Sequence, residues 1–507
     1  MKYIASFLPL IILLALISCR DDFEFVASNG TLAFSEKTIY LDTVFSDIGS
    51  STYTLKVYNR SAKDIKIPVI KLAKGNASKY RITVDGMTGD VGSTGKVFSN
   101  VELLAKDSLY IFIETTANIT DANPTDFLYT DEIQFDSGTN LQKVDLVTLI
   151  QDAYFIFPNK ENGTYESVPF GIDAANNTVN IWGRNLQHDH LKNGNEFQFK
   201  TDKPYVIYGF ASVPDGETLH IPAGARVHFH AESGLIVQNN ATLNIAGTVS
   251  TGPSLENEVV FEGDRLEPNF SDVAGQWGFV YLRQGSLNNS INHLTLKNAT
   301  IGLFAVDCNL NIQNSQIYDC TNYGILGRKA QIDAKNVIIN NAGQATLACT
   351  TGGSYNFVHC TLNNNWSNSQ QVALYIDNYI LNANNQQVPY DLVACNFVNC
   401  IVYGSNNVAL FLSKNDSKLF NFNFNHSLFK FNDANTQIAT NVLYESIRNE
   451  QNGNKKNLNP NFVNVSKNKL WLSQALTIPV NVNYANFNDI LNYSRNVNPN
   501  LGAYQYH

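Results

Sequence analysis

The chain of 507 residues is longer than one hydrophobic core usually serves and implies two domains or more. A hydrophobic content of 44% excludes a disordered chain, and a formal charge of -9 argues against the basic face that a nucleic-acid partner needs. Only 16% of residues are charged. Asn carries much of the polar surface instead, and Asn tolerates left-handed turns, which suits a turn-dense β architecture.

The first residues read as an address. Lys2 precedes an apolar run from Ile4 to Ile17, too short to span a bilayer comfortably and laid out as a secretory signal. The run ends in Leu16-Ile17-Ser18-Cys19, which resembles the lipobox of bacterial lipoproteins. That resemblance implies a signal peptide over 1–18 and a lipidated Cys19 that holds the protein to a membrane. Arg20-Asp21-Asp22 opens a tether over 19–30 and resembles the surface-export signal of Bacteroidota lipoproteins. The implied location is the outer membrane, exposed at the cell surface, or otherwise on its periplasmic face.

Residues 31–152 alternate in short strands divided by turns. Thr52 to Tyr58, Tyr80 to Val84 before the turn Asp85-Gly86, Leu109 to Glu114 and Gln142 to Val147 are the clearest. Strands at this spacing predict an antiparallel sandwich. Asn59-Arg60-Ser61, Ile65-Lys66-Ile67-Pro68 and Asp107-Ser108-Leu109 resemble bacterial immunoglobulin-like domains of the hydin type, which implies a spacer. Asp42-Thr43-Val44 and Asp107-Ser108-Leu109 also match a three-residue glycosylation sequon of exported Bacteroidota proteins. So short a match is read as structural.

Residues 153–204 read as an Asn- and Gly-rich connector. From Tyr205 a different pattern begins, with Thr218 to Phe229 echoed by Gly234 to Val237 and Thr242 to Thr248. Between Leu294 and Phe429 one phrase recurs six times: apolar, any, apolar, any, Asn or His, a small or modest side chain, any, apolar. The copies carry Asn298, Asn314, Asn336, His359, Asn399 and His426 at the fifth position, spaced by 16, 22, 23, 40 and 27 residues. Repeats of this length predict a solenoid, and alternation of period two makes its units strands. The strand–Gly–strand phrases resemble the opening coils of right-handed parallel β-helix proteins of the pectate-lyase superfold. The ending Pro499-Asn500-Leu501-Gly502-Ala503-Tyr504 is similar to a closing phrase of such proteins. An all-β chain is expected, with the β-helix over 205–507.

In that reading Leu296, Ile312, Ala334, Phe357, Phe397 and Phe424 form one inward column, and the Asn and His residues a structural column at a corner. Cys360 and Cys400 would stack on successive rungs, about 4.7–4.9 Å apart, wider than the ~3.8 Å between Cβ atoms that a disulfide prefers. They read as small buried hydrophobes. The 40-residue step holds an excursion, Asn363 to Asp391, whose Tyr375, Tyr379 and Tyr390 are candidate ligand contacts on a solenoid face.

Catalytic signals are weak. Glycoside hydrolysis needs paired carboxylates at a fixed separation. The Asn-Thr-Asp, Asp-Asp and Gly-His-Gly phrases of hydrolases on the resembled fold do not occur along the repeats. A lyase needs a calcium-binding carboxylate cluster and a cationic base, whereas Asp307, Asp319 and Asp333 are scattered. Asp264 and Arg265, near Trp277, form the densest polar group and could grip a sugar. His228 and His230 share a strand face without an evident third ligand, so no metal and no cofactor is expected. The expected role is non-catalytic binding or adhesion to glycan or to a cell-surface protein. The alternatives are a polysaccharide lyase or hydrolase, marked by acids beside Arg265 or Lys329, and a purely structural envelope component.

Overall fold

The computed structural model describes residues 24–506 apart from 174, 435–437 and 496–498. Cys19 and the export signals therefore lie outside the described residues. The chain divides after Asp152 into two compact units.

In the first unit, Ile65–Leu72, Val97–Leu103, Leu128–Phe135, Gln142–Gln151 and Thr38–Phe45 build one sheet. Tyr53–Tyr58, Ser108–Thr115 and Tyr80–Val84 build the other. Period-two alternation buries Leu55, Val57, Ile111 and Ile113 against Ile67, Ile133, Val144 and Leu146 in one shared core. The unit is an immunoglobulin-like β-sandwich. Its Asn59-Arg60-Ser61 phrase has a physical role. Asn59 is buried and donates through Nδ2 to the carbonyls of Lys63 at 2.8 Å and Leu104 at 3.0 Å. It thereby satisfies carbonyls that the strand ends leave unpaired.

The second unit is a parallel β-helix of three sheets. The first sheet has 11 strands, from Tyr154–Ile156 to Lys455–Lys456. The second has 10, from Ser167–Ile172 to Leu410–Ser413, and the third has 8, from Thr218–Pro222 to Asn423–Asn425. Each full coil passes from the third sheet to the first and then the second. Residues 153–204 are not a connector but the opening of this solenoid. Tyr154–Ile156 pairs in parallel with Tyr205–Ile207, and Thr178–Asn185 with Phe210–Val213. Phe199 stacks on Tyr205 with ring centroids 3.8 Å apart, closing the end of the core.

Side chains of equivalent positions stack from rung to rung. Ile291, Ile312, Ala334, Phe357, Phe397 and Phe424 form one inward column of the third sheet. The rings of Phe357 and Phe397 lie 5.1 Å apart and 5° from parallel. Leu296, expected in this column, belongs to the first sheet, aligned with Phe261 and Ile317. The corner column shifts in the same way. Its first member is His293, not Asn298, because Asn292 pairs with Gln313 immediately before Asn314. Asn298 stands at the next corner, aligned with Asp319 and Asn341.

Both corners demand left-handed backbone, which explains the residues that occupy them. φ is 46° at His293, 47° at Asn314, 51° at Asn336 and His359, 55° at Asn399 and 46° at His426. At the other corner φ is 68°, 53° and 56° at Asn298, Asp319 and Asn341. Asn and Asp bear this conformation better than other residues with a Cβ. The amides also link rungs: Asn336 Nδ2 donates to Asn314 Oδ1 at 2.9 Å, and Asn314 Nδ2 to Asn292 Oδ1 at 3.0 Å.

The six described cysteines are free and buried. Cys360 N donates to Cys400 Sγ at 3.4 Å, so the two thiols occupy successive rungs as packing groups.

After Lys456 the chain leaves the coils and lies along the outer face of the first sheet. Leu470, Ile490, Ala503 and Tyr504 pack on Tyr318 and Ile338, and Leu472, Leu476, Ile478 and Leu501 pack on Ile401 and Leu428. The corner amides dock this wrap. Asn336 Nδ2 donates to Asn488 O at 2.8 Å, and Asn399 exchanges two bonds with the backbone of Asn481 at 2.8 and 3.0 Å. Arg495, buried beneath, donates to Asn336 Oδ1 at 3.0 Å and to the carbonyls of Gly502 and Ala503.

Candidate functional site

The outer face of the second sheet is covered at its beginning, where Val168 and Phe170 pack over Phe210, Ile236, Phe279 and Tyr281; from Phe304 onward no such wrap covers it among the described residues. Inward positions of its strands are aliphatic (Leu303, Ile325, Leu347, Leu374, Leu410), so the alternate positions face out. Those outward positions are aromatic over much of the sheet. Tyr281 stacks on Phe304 at 4.7 Å and 12°, and Tyr375 stacks on Phe411 at 5.6 Å and 20°. Leu326 and Ala348 lie between the two pairs in the same row.

Over the second pair the surface opens into a groove of about 760 Å³. Tyr323, Tyr375 and Phe411 form its floor, and the segments Asn368–Gln371 and Asn406–Val408 its wall. These two segments are stitched together. Asn406 Nδ2 donates to Gln371 O at 2.6 Å, and buried Gln371 donates through Nε2 to Ser405 Oγ at 3.1 Å. Buried Asn364 anchors the base of the wall, bonding the carbonyls of Ala342 at 2.8 Å and Val372 at 2.9 Å. The side-chain amides of Gln344, Gln370 and Asn407 stand exposed in the groove. Burial raises the phenols of Tyr323 and Tyr375, and the Tyr323 hydroxyl donates to Gln344 Oε1.

The lining contains no Asp, Glu, His, Lys or Arg. The nearest carboxyl in the same strand, Asp377, is buried, accepts from Thr351 N at 2.7 Å and is raised by burial. The groove can therefore stack rings and exchange hydrogen bonds with neutral polar groups. It does not present the acid and base that glycosidic cleavage uses.

Acids gather instead on the outer face of the first sheet, near its beginning, and each is engaged. Glu262 lies 2.8 Å from Lys297 Nζ and 3.7 Å from His228 Nδ1, and Glu258 accepts from Thr295 Oγ1 at 2.6 Å. Burial lowers His228 below the usual imidazole range and keeps it neutral. The two imidazoles of the His228-Phe229-His230 strand turn to separate carboxylates, since His230 Nδ1 lies 2.7 Å from Asp264 Oδ2. Among the described residues no three His, Cys, Asp or Glu side chains gather as metal ligands.

Of the six residues singled out from sequence, the groove takes Tyr375 alone. Trp277 is 1% exposed, stacks on Phe229 at 4.2 Å and donates from Nε1 to Lys297 O at 2.9 Å. It is a core residue with no face for a sugar. Asp264 is held by His230, and Arg265 pairs with Glu267 at 2.9 Å and lies 3.8 Å over Phe270, so the three form no common site. Tyr379 opens the hairpin Tyr379–Leu381/Gln387–Pro389 and bonds Ser413 Oγ at 2.8 Å, while Tyr390 N donates to Asn378 O at 2.7 Å. The 40-residue step is thus a loop, a regular rung (Val372–Asp377) and a hairpin. Tyr323 and Phe411 escaped notice in the sequence. Aligning Tyr375 with Phe411 across one rung is the signal that finds them.

No family model and no curated protein matches the chain. Among solved structures, a PapD-like domain of human CEP192 is 12% identical, with 25% of this chain and 88% of that domain covered and a TM-score of 0.16. The periplasmic chaperone SfaE is 15% identical, with 24% of this chain and 58% of that one covered and a TM-score of 0.15. The catalytic domain of a GH87 α-1,3-glucanase bound to nigerose is 10% identical, with 75% and 81% covered and a TM-score of 0.17. At these scores the reading of function rests on the site itself.

Proposed function

We propose that this chain is a non-catalytic glycan-binding protein of the cell envelope, with its ligand in the groove over Tyr375 and Phe411. The observation that carries this reading is the lining: aromatic platforms and exposed amides, without an acid–base pair. Rings offer apolar faces to a sugar, and amides donate and accept for its hydroxyls from one side chain. The groove is open, as a chain-like ligand requires. Leu16-Ile17-Ser18-Cys19 supports a lipid anchor at Cys19, and Arg20-Asp21-Asp22 supports display at the surface of a Bacteroidota outer membrane. In this reading the immunoglobulin-like unit spaces the β-helix from the membrane.

The test screens the unlipidated mature chain against a polysaccharide panel for binding, with reducing ends and unsaturated products measured on the same samples. Retention of at least one polysaccharide without product supports the proposal. Product release from any of them establishes an enzyme and overturns it. Palmitate labelling of the exported protein, lost in Cys19→Ser, tests the anchor separately.

A further inference from the structure

Beside the groove, on the same sheet face, the chemistry changes from neutral to cationic. Arg283, Val306 and Arg328 occupy one outward row, fixed by the pairings of Leu282 with Ala305 and of Val306 with Arg328. Arg328 is exposed and its guanidinium lies 5.3 Å over the ring of Phe304. Arg283 donates to Gln238 Oε1 and, at 3.2 Å, to Pro169 O. Neither arginine forms an ion pair with a carboxylate among the described residues. The adjacent acids are already committed: Asp307 to Lys329 at 3.0 Å, and Asp377 to Thr351 N at 2.7 Å.

The two guanidiniums flank the stacked pair Tyr281–Phe304, and Arg328 shares its strand, Tyr323–Arg328, with the groove residue Tyr323. A ligand lying along the solenoid axis over Phe411 and Tyr375 would reach this patch next. We propose that the arginine patch extends the groove and selects a glycan with acidic groups, carboxylate or sulfate, on alternate sugars. This deepens the proposed function and rests on it. The alternation follows from the rungs: Arg283 and Arg328 are two rungs apart, roughly 9–10 Å at a strand spacing of ~4.8 Å. That suits alternate pyranose units better than adjacent ones. Planar guanidiniums bind both carboxylates and sulfates through paired hydrogen bonds, and stacking on aromatic rings pre-orients them.

The experiment uses one backbone in three forms: chondroitin, carboxyl-reduced chondroitin, and carboxyl-reduced chondroitin 4-sulfate. These carry a carboxylate, no charge, and a sulfate on each disaccharide. Affinity of the mature chain is measured by calorimetry at about 0.02 M and about 0.3 M salt, spanning strong and weak screening. At least one charged form is expected to bind about tenfold tighter than the neutral form at low salt, and whichever form binds identifies the anion. Arg283→Gln with Arg328→Gln is expected to abolish that advantage while leaving the melting temperature unchanged. Lys329→Gln, which removes a nearby charge already paired with Asp307, is expected to retain it.

Equal affinity for charged and neutral forms, or a charged-form advantage that survives the double variant, overturns this inference and leaves glycan binding intact. Absence of binding to all three forms also overturns it. If the neutral polysaccharides of the wider panel then fail too, the proposed function falls with it.

Discussion

Two outer faces of one solenoid are built by the same rule and end differently. On the first sheet, outward Tyr318, Ile338, Ile401 and Leu428 are sealed beneath the C-terminal wrap, and the wrap's own Leu470, Leu472 and Tyr504 are buried with them. On the second sheet, beyond the first coils that Val168 and Phe170 cover, outward Phe304, Tyr323 and Tyr375 stay half-buried, and Phe411 is 44% exposed. An apolar outward row is therefore no signal of function by itself. The difference lies in whether the chain covers the row, and the uncovered one is also flanked by exposed amides and unpaired arginines.

The core beneath both faces is shared, so Phe397→Ala, which removes the middle ring between Phe357 and Phe424, should cost about 3–5 kcal/mol in urea unfolding and weaken both faces. Arg495→Met should act on the covered face alone. It leaves Asn336 Oδ1 and the carbonyls of Asn500, Gly502 and Ala503 short of a donor and should cost about 2–3 kcal/mol. Hydrogen exchange should rise over the wrap and the first sheet while glycan affinity stays unchanged.

At the corner, Asn314→Ala should cost about 1–2 kcal/mol because an alanine resists φ of 47°. Asn314→Gly should cost less, since glycine accepts that backbone freely. Equal costs in thermal unfolding would show that the inter-rung amide bonds, lost in both variants, dominate there rather than the backbone.

The smallest effect is one of pH. Burial, then the charge of Arg495, holds the imidazole of His359 well below its usual range, so the folded state keeps it neutral. The unfolded chain takes up that proton as pH falls through about 6.5, whereas the folded chain does not. Stability should therefore fall on acidification below that pH, by up to about 1.4 kcal/mol per unit for this group. His359→Asn, which keeps a residue suited to the corner, should flatten this part of the profile.

Much of the solenoid was legible because period-two alternation and recurring Asn survive in sequence. The column of Phe357, Phe397 and Phe424 and the corner at Asn314, Asn336 and Asn399 follow from spacing. Asn298 and Leu296 were misaligned for a physical reason. Two of the three corners use a left-handed Asn or Asp between alternating strands, so one phrase describes both. Trp277 was misplaced because the strand Trp277–Leu282 bears an irregularity between Phe279 and Val280 that reverses which side faces in. The opening at 153–204 pairs locally only in the antiparallel hairpins Lys160–Glu161/Thr164–Tyr165 and Ser167–Ile172/Thr178–Asn185, and the partners that make it part of the solenoid lie further along the chain. The groove was the least legible feature, since it needs the rung register that sets Tyr375 beside Phe411 and the loops that wall it.

The central claim is that the uncovered face binds a glycan without cleaving it. The direct measurement is calorimetric affinity of the mature chain and its Tyr375→Ala/Phe411→Ala variant for a polysaccharide the parent retains, with product analysis on the same samples. At least a tenfold loss, about 1.4 kcal/mol, is expected at unchanged melting temperature and with no product from either protein. Undiminished affinity in the variant, or cleavage by the parent, would contradict that claim.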